Sequence, residues 1–373
     1  MPPPAGTANL SFLQIVDLCD NVELRRDAPD VLYDAKFHEA EQLTPFALTE
    51  DVDSPIIGLL RPQIIQELVA DNERNRTLQK LEVWKLSLDR SDHRVLSNGR
   101  SIGPCVSFHH WVDTHTKRTA ALKDICERWR DSGLFNDVCG PKKWRNEMYP
   151  IYADPFGVHD HPSTEGRSLN YVFEMERSAC ALFGVITYGV HMTIYENVVD
   201  DQGHKSIRVW VPTRALTKPT WPGYLDNTVA GGIPSGMSPF ESLVKECMEE
   251  ASLPDHVVRD SIMAVGAISY FFRTSKGWLQ PEVEYVYNIA IPPGVDPSIF
   301  EPKPLDGEVE SFELMTQERV IEQLRAGKFK PNCGMVLIDL FIRLGFITPD
   351  NEPDFMKIAT RLHGQFDYSK WKQ

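Results

Sequence analysis

Residues 230–253, reading AGGIPSGMSPFESLVKECMEEASL, constrain what this chain can fold into more than any other stretch. Counted from Phe240, apolar residues recur at Leu243, Val244, Cys247, Met248 and Ala251, the spacing of a helix laid on a core. Ser238 followed three residues later by Glu241, with Pro239 at the first helical position, predicts a capping box, and Pro254 marks the stop. Glu246, Glu249 and Glu250 then fall at i, i+3 and i+4 and share one sector beside the apolar face. Like charges at these spacings cost roughly 0.2–0.5 kcal/mol each, and these crowd the end of the helix where its dipole disfavours anions. Nothing local compensates except Lys245. A solvated face intersperses lysine with glutamate, whereas three acids at the unfavourable end, after a glycine-rich loop, predict a divalent cation held by carboxylate oxygens.

The chain of 373 residues is long enough for two domains, and its 42% hydrophobic and 25% charged residues are ordinary for a globular protein. A net charge of −14 argues against a nucleic-acid backbone or an anionic membrane as the main partner, since both require a basic face. Cysteines stand at 19, 105, 126, 139, 180, 247 and 333, odd in number and without a CxxC pair, a pattern of reduced thiols and not of a disulfide framework or zinc site. No basic residue precedes Arg25, so the start lacks the charged region of a signal peptide. The longest apolar run, residues 178–190, is too short to span a bilayer. A soluble, cytoplasmic protein is expected.

Residues 1–150 read as a smaller mixed α/β domain. Helices are predicted over residues 11–19, from Pro62, and over residues 116–132 with Gly133 as a left-handed cap; strands are predicted over residues 82–88 and 106–112. His109 and His110, as neighbours on a strand, would face opposite ways. Residues 140–165 are rich in proline, glycine and charge and read as the connection between domains. In the second domain, residues 151–350, strands are predicted over residues 188–196 and 207–212 across a turn at 200–203, then over 261–272 and 282–291. Helices follow over 318–327 and 335–344, and residues 351–373 read as a C-terminal extension. Strands interleaved with helices on two sides give an α/β/α sandwich with a mixed sheet.

The central stretch resembles the signature of the Nudix hydrolases: Gly, five residues, Glu, seven residues, Arg-Glu, two residues, Glu-Glu, one residue, Gly and an apolar residue. Gly231 begins it, Lys245-Glu246-Cys247-Met248-Glu249-Glu250 is its centre and Leu253 its end, with every spacing kept. Met237 replaces the first Glu, Lys245 the Arg and Ser252 the closing Gly. Lysine keeps the charge but loses the planar fork that orients a neighbouring carboxylate.

A diphosphate carries several negative charges, so cleaving it requires neutralising them and supplying a nucleophile at neutral pH, which a divalent metal does. The expected ion is Mg²⁺, with Mn²⁺ as the alternative, held by Glu246, Glu249 and Glu250. Glu284 resembles the further acid that this family brings to the metals, with Glu282 as its rival. Glu249 is the favoured acceptor of the water proton, with Glu250 and Lys245 beside it in the catalytic set. Arg214 and Lys218 are expected to bind the phosphates, and Gly231, Gly232 and Gly236 to let backbone approach metal or phosphate. Trp221, Tyr270, Phe272 and Trp278 offer faces for stacking a heteroaromatic ring, about half of them being expected as ordinary core aromatics.

Read whole, the run WVPTRALTKPTWPGYLDNTVAGGIPSG followed by KECMEEASL resembles the thiamin pyrophosphokinase-related Nudix hydrolases with their preceding domain of unknown function. That resemblance implies a small-molecule diphosphate substrate, oxidised or oxo-thiamin diphosphate cleaved to the monophosphate and phosphate, with 8-oxo-dGDP as another. Isopentenyl-diphosphate isomerases share the layout but need a Cys and a metal-binding His where this chain has Ala230 and Gly232. A non-catalytic diphosphate-binding module is the other alternative, favoured by Met237, Lys245 and Ser252 and opposed by the intact set of three glutamates.

Overall fold

The computed structural model describes residues 9–28, 31–37, 41–88, 94–95, 101–163 and 169–366. Ser11 caps α1 (Phe12–Cys19) in a complete capping box: its hydroxyl accepts from the Gln14 amide, and the Gln14 side chain accepts from the Ser11 amide. There follow β1 (Leu24–Ala28), β2 (Val31–Asp34), β3 (Gln42–Ala47), β4 (Ile56–Leu60), α2 (Pro62–Thr77) and β5 (Trp84–Ser87). A short pair, β6 (Arg94–Val95) and β7 (Ser101–Ile102), precedes β8 (Cys105–Phe108) and α3 (His115–Ser132), which ends at the left-handed Gly133, φ 76°. The first sheet runs β1-β2-β3-β8-β5 with β4 on β3, and only β3 and β8 are parallel. Next, β9 (Met148–Tyr152) pairs antiparallel with β10 (Tyr171–Glu176), and the one-turn α4 (Cys180–Phe183) closes this part.

The second sheet takes β11 (Thr187–Val199), β12 (Lys205–Arg214) and β13 (Val229–Gly232), then α5 (Pro239–Ala251) and α6 (Asp255–Ser261), then β14 (Met263–Arg273), β15 (Leu279–Ala290) and β16 (Val309–Thr316). Helices α7 (Gln317–Arg325), α8 (Pro331–Arg343) and α9 (Phe355–Leu362) complete it. Strand order is β14-β15-β11-β12-β16 with β13 on β11, and β11 and β15 are parallel while the other pairs are antiparallel. Because side chains alternate along each strand, one face sends Val190, Met192 and Ile194 to Leu243, Val244 and Cys247 of α5. The other sends Val209 and Val286 to Met335 and Leu337 of α8. This is the α/β/α sandwich with a mixed sheet.

The packing crosses the expected boundaries. Helix α1 buries Phe12, Ile15, Val16 and Cys19 in the core beneath α8, so the chain begins on the second sheet before building the first. The stretch expected as a connection contains β9, whose Tyr149 and Ile151 join Phe173 and Met175 in the first unit's core; the seam therefore falls near Val185. Residues 164–165 of that stretch lie outside the described residues. Helix α9 buries Ile358 and Leu362 in the same core as α1, which makes it part of the sandwich; residues 367–373 of the expected extension lie outside the described residues. Among the described residues, no helix is long and apolar enough to cross a membrane. Cys19, Cys126, Cys139, Cys180, Cys247 and Cys333 are buried thiols.

Candidate active site

Helix α5 starts where the sequence places it, but with half of the predicted box. Ser238 Oγ accepts from the Glu241 amide at 3.2 Å, while the Glu241 carboxylate turns to Arg259 at 2.7 and 2.8 Å. The helix ends at Ser252, left-handed at φ 55° in the position where the signature carries glycine. Met248, expected on the packed face, is 45% exposed, because the stripe that β11 covers is the narrower one of Leu243, Val244, Cys247 and Ala251.

The three glutamates divide. Glu246 folds back onto the glycine strand β13: a Cβ built at Gly231 would stand 2.3 Å from Glu246 Cγ. Glu250 is buried, and its Oε2 accepts the Ala230 amide at 3.3 Å. Glu249 points outward, half exposed, with Lys245 Nζ 3.1 Å away; the same ammonium is 3.8 Å from Glu246. Burial pushes the Glu246 carboxyl up to about 7, with Lys245 opposing and Glu249 adding. Burial, with Asp226 and Glu246 adding, pushes Glu250 up to about 8.

A second set of acids arrives from the sheet. Strand register places Gly189 beside both Gly232 and Glu284. Glu284 fills the space that a side chain at 189 would take, a Cβ there falling 2.1 Å from its Oε2. The Tyr270 hydroxyl lies within hydrogen-bond reach of both Glu284, at 2.8 Å, and Glu282, while Asn332 donates to Glu284 at 3.3 Å and His191 Nε2 lies 3.5 Å away. Glu282 is pushed up by burial and by Glu284. For Glu284, burial works upward, but the His191 charge and its hydrogen bonds win and hold it below the usual carboxylate range.

A cavity of about 630 Å³ opens between the two units, lined by Trp221, Gly231, Gly232, Tyr270, Glu282 and Glu284. Trp278 lines it as well, and so do the cations Lys143, Arg145, Arg177, Lys276 and Lys330. Gly231 links the acids of the helix to this space, since it lines the cavity and carries Glu246 against its other side.

Several expected residues have other tasks. Arg214, at the end of β12, is buried with Nη1 2.5 Å from Asp226, and donates to the carbonyls of Trp221 and Thr220; it holds the loop that carries Trp221 and does not line the cavity. Lys218 is paired with Glu308. Gly236 serves a turn at φ 85°, where a Cβ would stand 3.7 Å from the His161 ring, away from the cavity lining. Tyr270 spends its hydroxyl on two carboxylates. Trp278 is 6% exposed, packed edge-on to Phe135 beneath Arg61 and donating to Asp137, so it is a core aromatic that closes the cavity wall. His109 and His110 follow β8 in a turn and both face Glu50, at 3.5 and 3.7 Å, because strand alternation has already ended. Arg177, Tyr149 and Lys330 also line the cavity, and no sequence motif marks them.

The donor set suits a hard dication. Glu246 and Glu250 are carboxylates forced inward, held toward the neutral form by burial and repulsion, and a divalent ion relieves both penalties. A different buried group, His191, Asp226 and Cys333, has ligand atoms within 4.8 Å of one another. It is satisfied internally: Asp226 binds Arg214 and accepts from the Cys333 thiol at 2.6 Å, and His191 Nδ1 is 2.7 Å from Asn227.

The family described as a domain of unknown function, DUF4743, matches residues 33–187, the first unit and its seam. The chain is 38% identical over 245 residues to the uncharacterized protein YJR142W of Saccharomyces cerevisiae, covering 63% of this chain and 65% of that one. It is 37% identical over 249 residues to Nudix hydrolase 20, chloroplastic, of Arabidopsis thaliana, covering 66% and 58%. Nudix hydrolase 24, chloroplastic, of the same plant is 33% identical over 261 residues, covering 70% and 63%. The chain thus spans less than two thirds of the length of each of these relatives. Two of these three relatives carry Nudix hydrolase names.

Proposed function

We propose that the protein is a divalent-metal-dependent hydrolase of small-molecule diphosphates, with oxidised or oxo-thiamin diphosphate as its substrate. The observation that carries this reading is the inward turn of Glu246 and Glu250 onto the backbone of residues 230–231, beside a cavity that also receives Glu284. Glu246, Glu249, Glu250 and Glu284 are the residues that would hold Mg²⁺ or Mn²⁺. When bound, such an ion neutralises phosphate charge and acidifies water. Glu249, half exposed and braced by Lys245, takes the proton of the attacking water. Water adds to one phosphorus, the bridging P–O bond breaks, and the bridging oxygen leaves with the other phosphate, giving the monophosphate and orthophosphate. Trp221 is the aromatic wall best suited to a heteroaromatic ring, since Trp278 and Tyr270 are engaged elsewhere. The six buried cysteines agree with a reducing, cytoplasmic setting.

The test is orthophosphate release from oxythiamin diphosphate with Mg²⁺, alongside 8-oxo-dGDP and a panel of nucleoside diphosphates. Release from the thiamin compound at the highest kcat/KM supports the reading; preference for 8-oxo-dGDP moves the substrate and keeps the chemistry. No release from any of them reduces the protein to a binding module. Glu250→Gln abolishes turnover and keeps the fold, and full activity in that variant removes the metal assignment.

A further inference from the structure

We propose that the first unit supplies the anion-binding wall of the active site, with Arg177 as the guanidinium that receives the substrate's phosphoryl oxygens. This rests on the diphosphate-hydrolase reading and assigns a task to the unit that the hydrolase signature does not cover.

The cavity has a charge problem. An anionic ligand entering it meets Glu282 and Glu284, with Glu246 behind Gly231, on a chain of net charge −14. The two cations that the sequence offers near the glycine loop are spent, Arg214 on Asp226 and Lys218 on Glu308. Compensation therefore has to come from elsewhere in the lining.

Arg177 follows β10, on the turn Arg177–Ala179 that leads into α4, and it is built into place by its own unit. Its Nη1 donates to Glu147 at 2.8 Å, and its guanidinium carbon lies 5.0 Å over the Tyr149 ring. Among the described residues, Nε and Nη2 make no hydrogen bond. Tyr149 and Arg177 together sit on Gly232: a Cβ there would stand 1.5 Å from the Tyr149 hydroxyl oxygen and 3.4 Å from Arg177 Cζ. Gly232 is thus bare because the first unit docks on it, which is a different reason from close approach of a phosphate. Arg177 acts electrostatically on both Glu246 of the helix and Glu282 of the sheet. A planar guanidinium with one edge anchored and the other open matches two phosphoryl oxygens in a way an ammonium does not.

The experiment uses the full chain with Mg²⁺. Affinity for the non-hydrolysable methylenediphosphonate is measured by titration calorimetry, and turnover with the diphosphate that the wild type cleaves fastest. Arg177→Met is expected to weaken methylenediphosphonate by at least about tenfold and Arg177→Lys to recover only part, because one point charge replaces a fork. Gly232→Ala, which displaces the Tyr149–Arg177 pair and leaves every carboxylate in place, is expected to weaken it in the same direction. In Arg177→Ala, a few millimolar guanidinium ion is expected to restore part of the turnover, which a purely structural role would not permit. Unchanged affinity and kcat/KM in Arg177→Met overturns the proposal, and so does a folded Arg177→Ala that guanidinium does not rescue. If Arg177→Met does not fold, Gly232→Ala and Arg177→Lys carry the decision, and wild-type affinity in both overturns it. A wild type that binds methylenediphosphonate through Arg177 but cleaves no diphosphate overturns the hydrolase reading alone.

Discussion

Glu246 and Glu250 sit under tension that only their surroundings explain. Burial holds both toward the neutral form, at about 7 and about 8, against an ordinary value of 4.5. The folded protein therefore binds more protons than the unfolded chain between roughly pH 4.5 and 8, and linkage makes stability fall as pH rises through that window. Across that window the two groups together lower stability by an amount on the order of 8 kcal/mol, at about 1.4 kcal/mol per pKa unit. The metal-free protein is expected to melt at a lower temperature at pH 8 than at pH 5, with the difference reduced in Glu246→Gln/Glu250→Gln. Added Mg²⁺ is expected to raise the melting temperature more at pH 8 than at pH 5, since protons and the cation compete for the same oxygens. Thermal melts at the two pH values, with chelator and with Mg²⁺, decide it; an unchanged slope in the double variant would show that these carboxylates are not under strain.

Helix α5 shows how an element carries its function on a flank. Its apolar stripe is fixed by β11, and that packing rotates Glu246 and Glu250 onto β13 while leaving Glu249 at the rim with Lys245. The start of the helix sets this rotation. Ser238→Ala removes the one side-chain cap and is expected to cost about 1 kcal/mol in chemical denaturation, with more lost in kcat than in KM as the first turn frays. No change in stability would mean that the Glu241–Arg259 pair alone holds the helix start. The spacing of apolar residues made this helix legible. The second half of its capping box was less so, because Glu241 found a better partner in Arg259 than the backbone amide offered. Short elements such as β1, with the sequence LRRDA, and β3, interrupted by Pro45, have no periodicity to read; their partners define them.

At the scale of the molecule, the two units are sewn together where the cavity lies. Arg273, at the end of β14, is buried against Asp34 at 3.3 Å and against Glu41, and lies over the Phe37 ring. Arg61 binds the same Glu41 at 2.9 Å and donates to the Lys276 carbonyl. Trp278 reaches from the β14–β15 hairpin into the first unit's core. Arg273→Met leaves Asp34 without its cation and Glu41 with Arg61 alone, and is expected to cost about 3 kcal/mol and to lower turnover by opening the cavity wall. Calorimetric unfolding would then separate into two transitions where the wild type gives one. A single, unshifted transition would mean that the units are held by their apolar contact alone.

Sequence alone determined the helix that bears the glutamates and the mixed sheet, because each of these is local spacing and period. Tertiary structure decided which charges remain available. Arg214 and Lys218 look like phosphate binders until Asp226 and Glu308 are brought beside them, and Arg177 looks like any surface arginine until β10 carries it onto Gly232. A cation's role depends on the anions folded around it, and those come from positions far away along the chain.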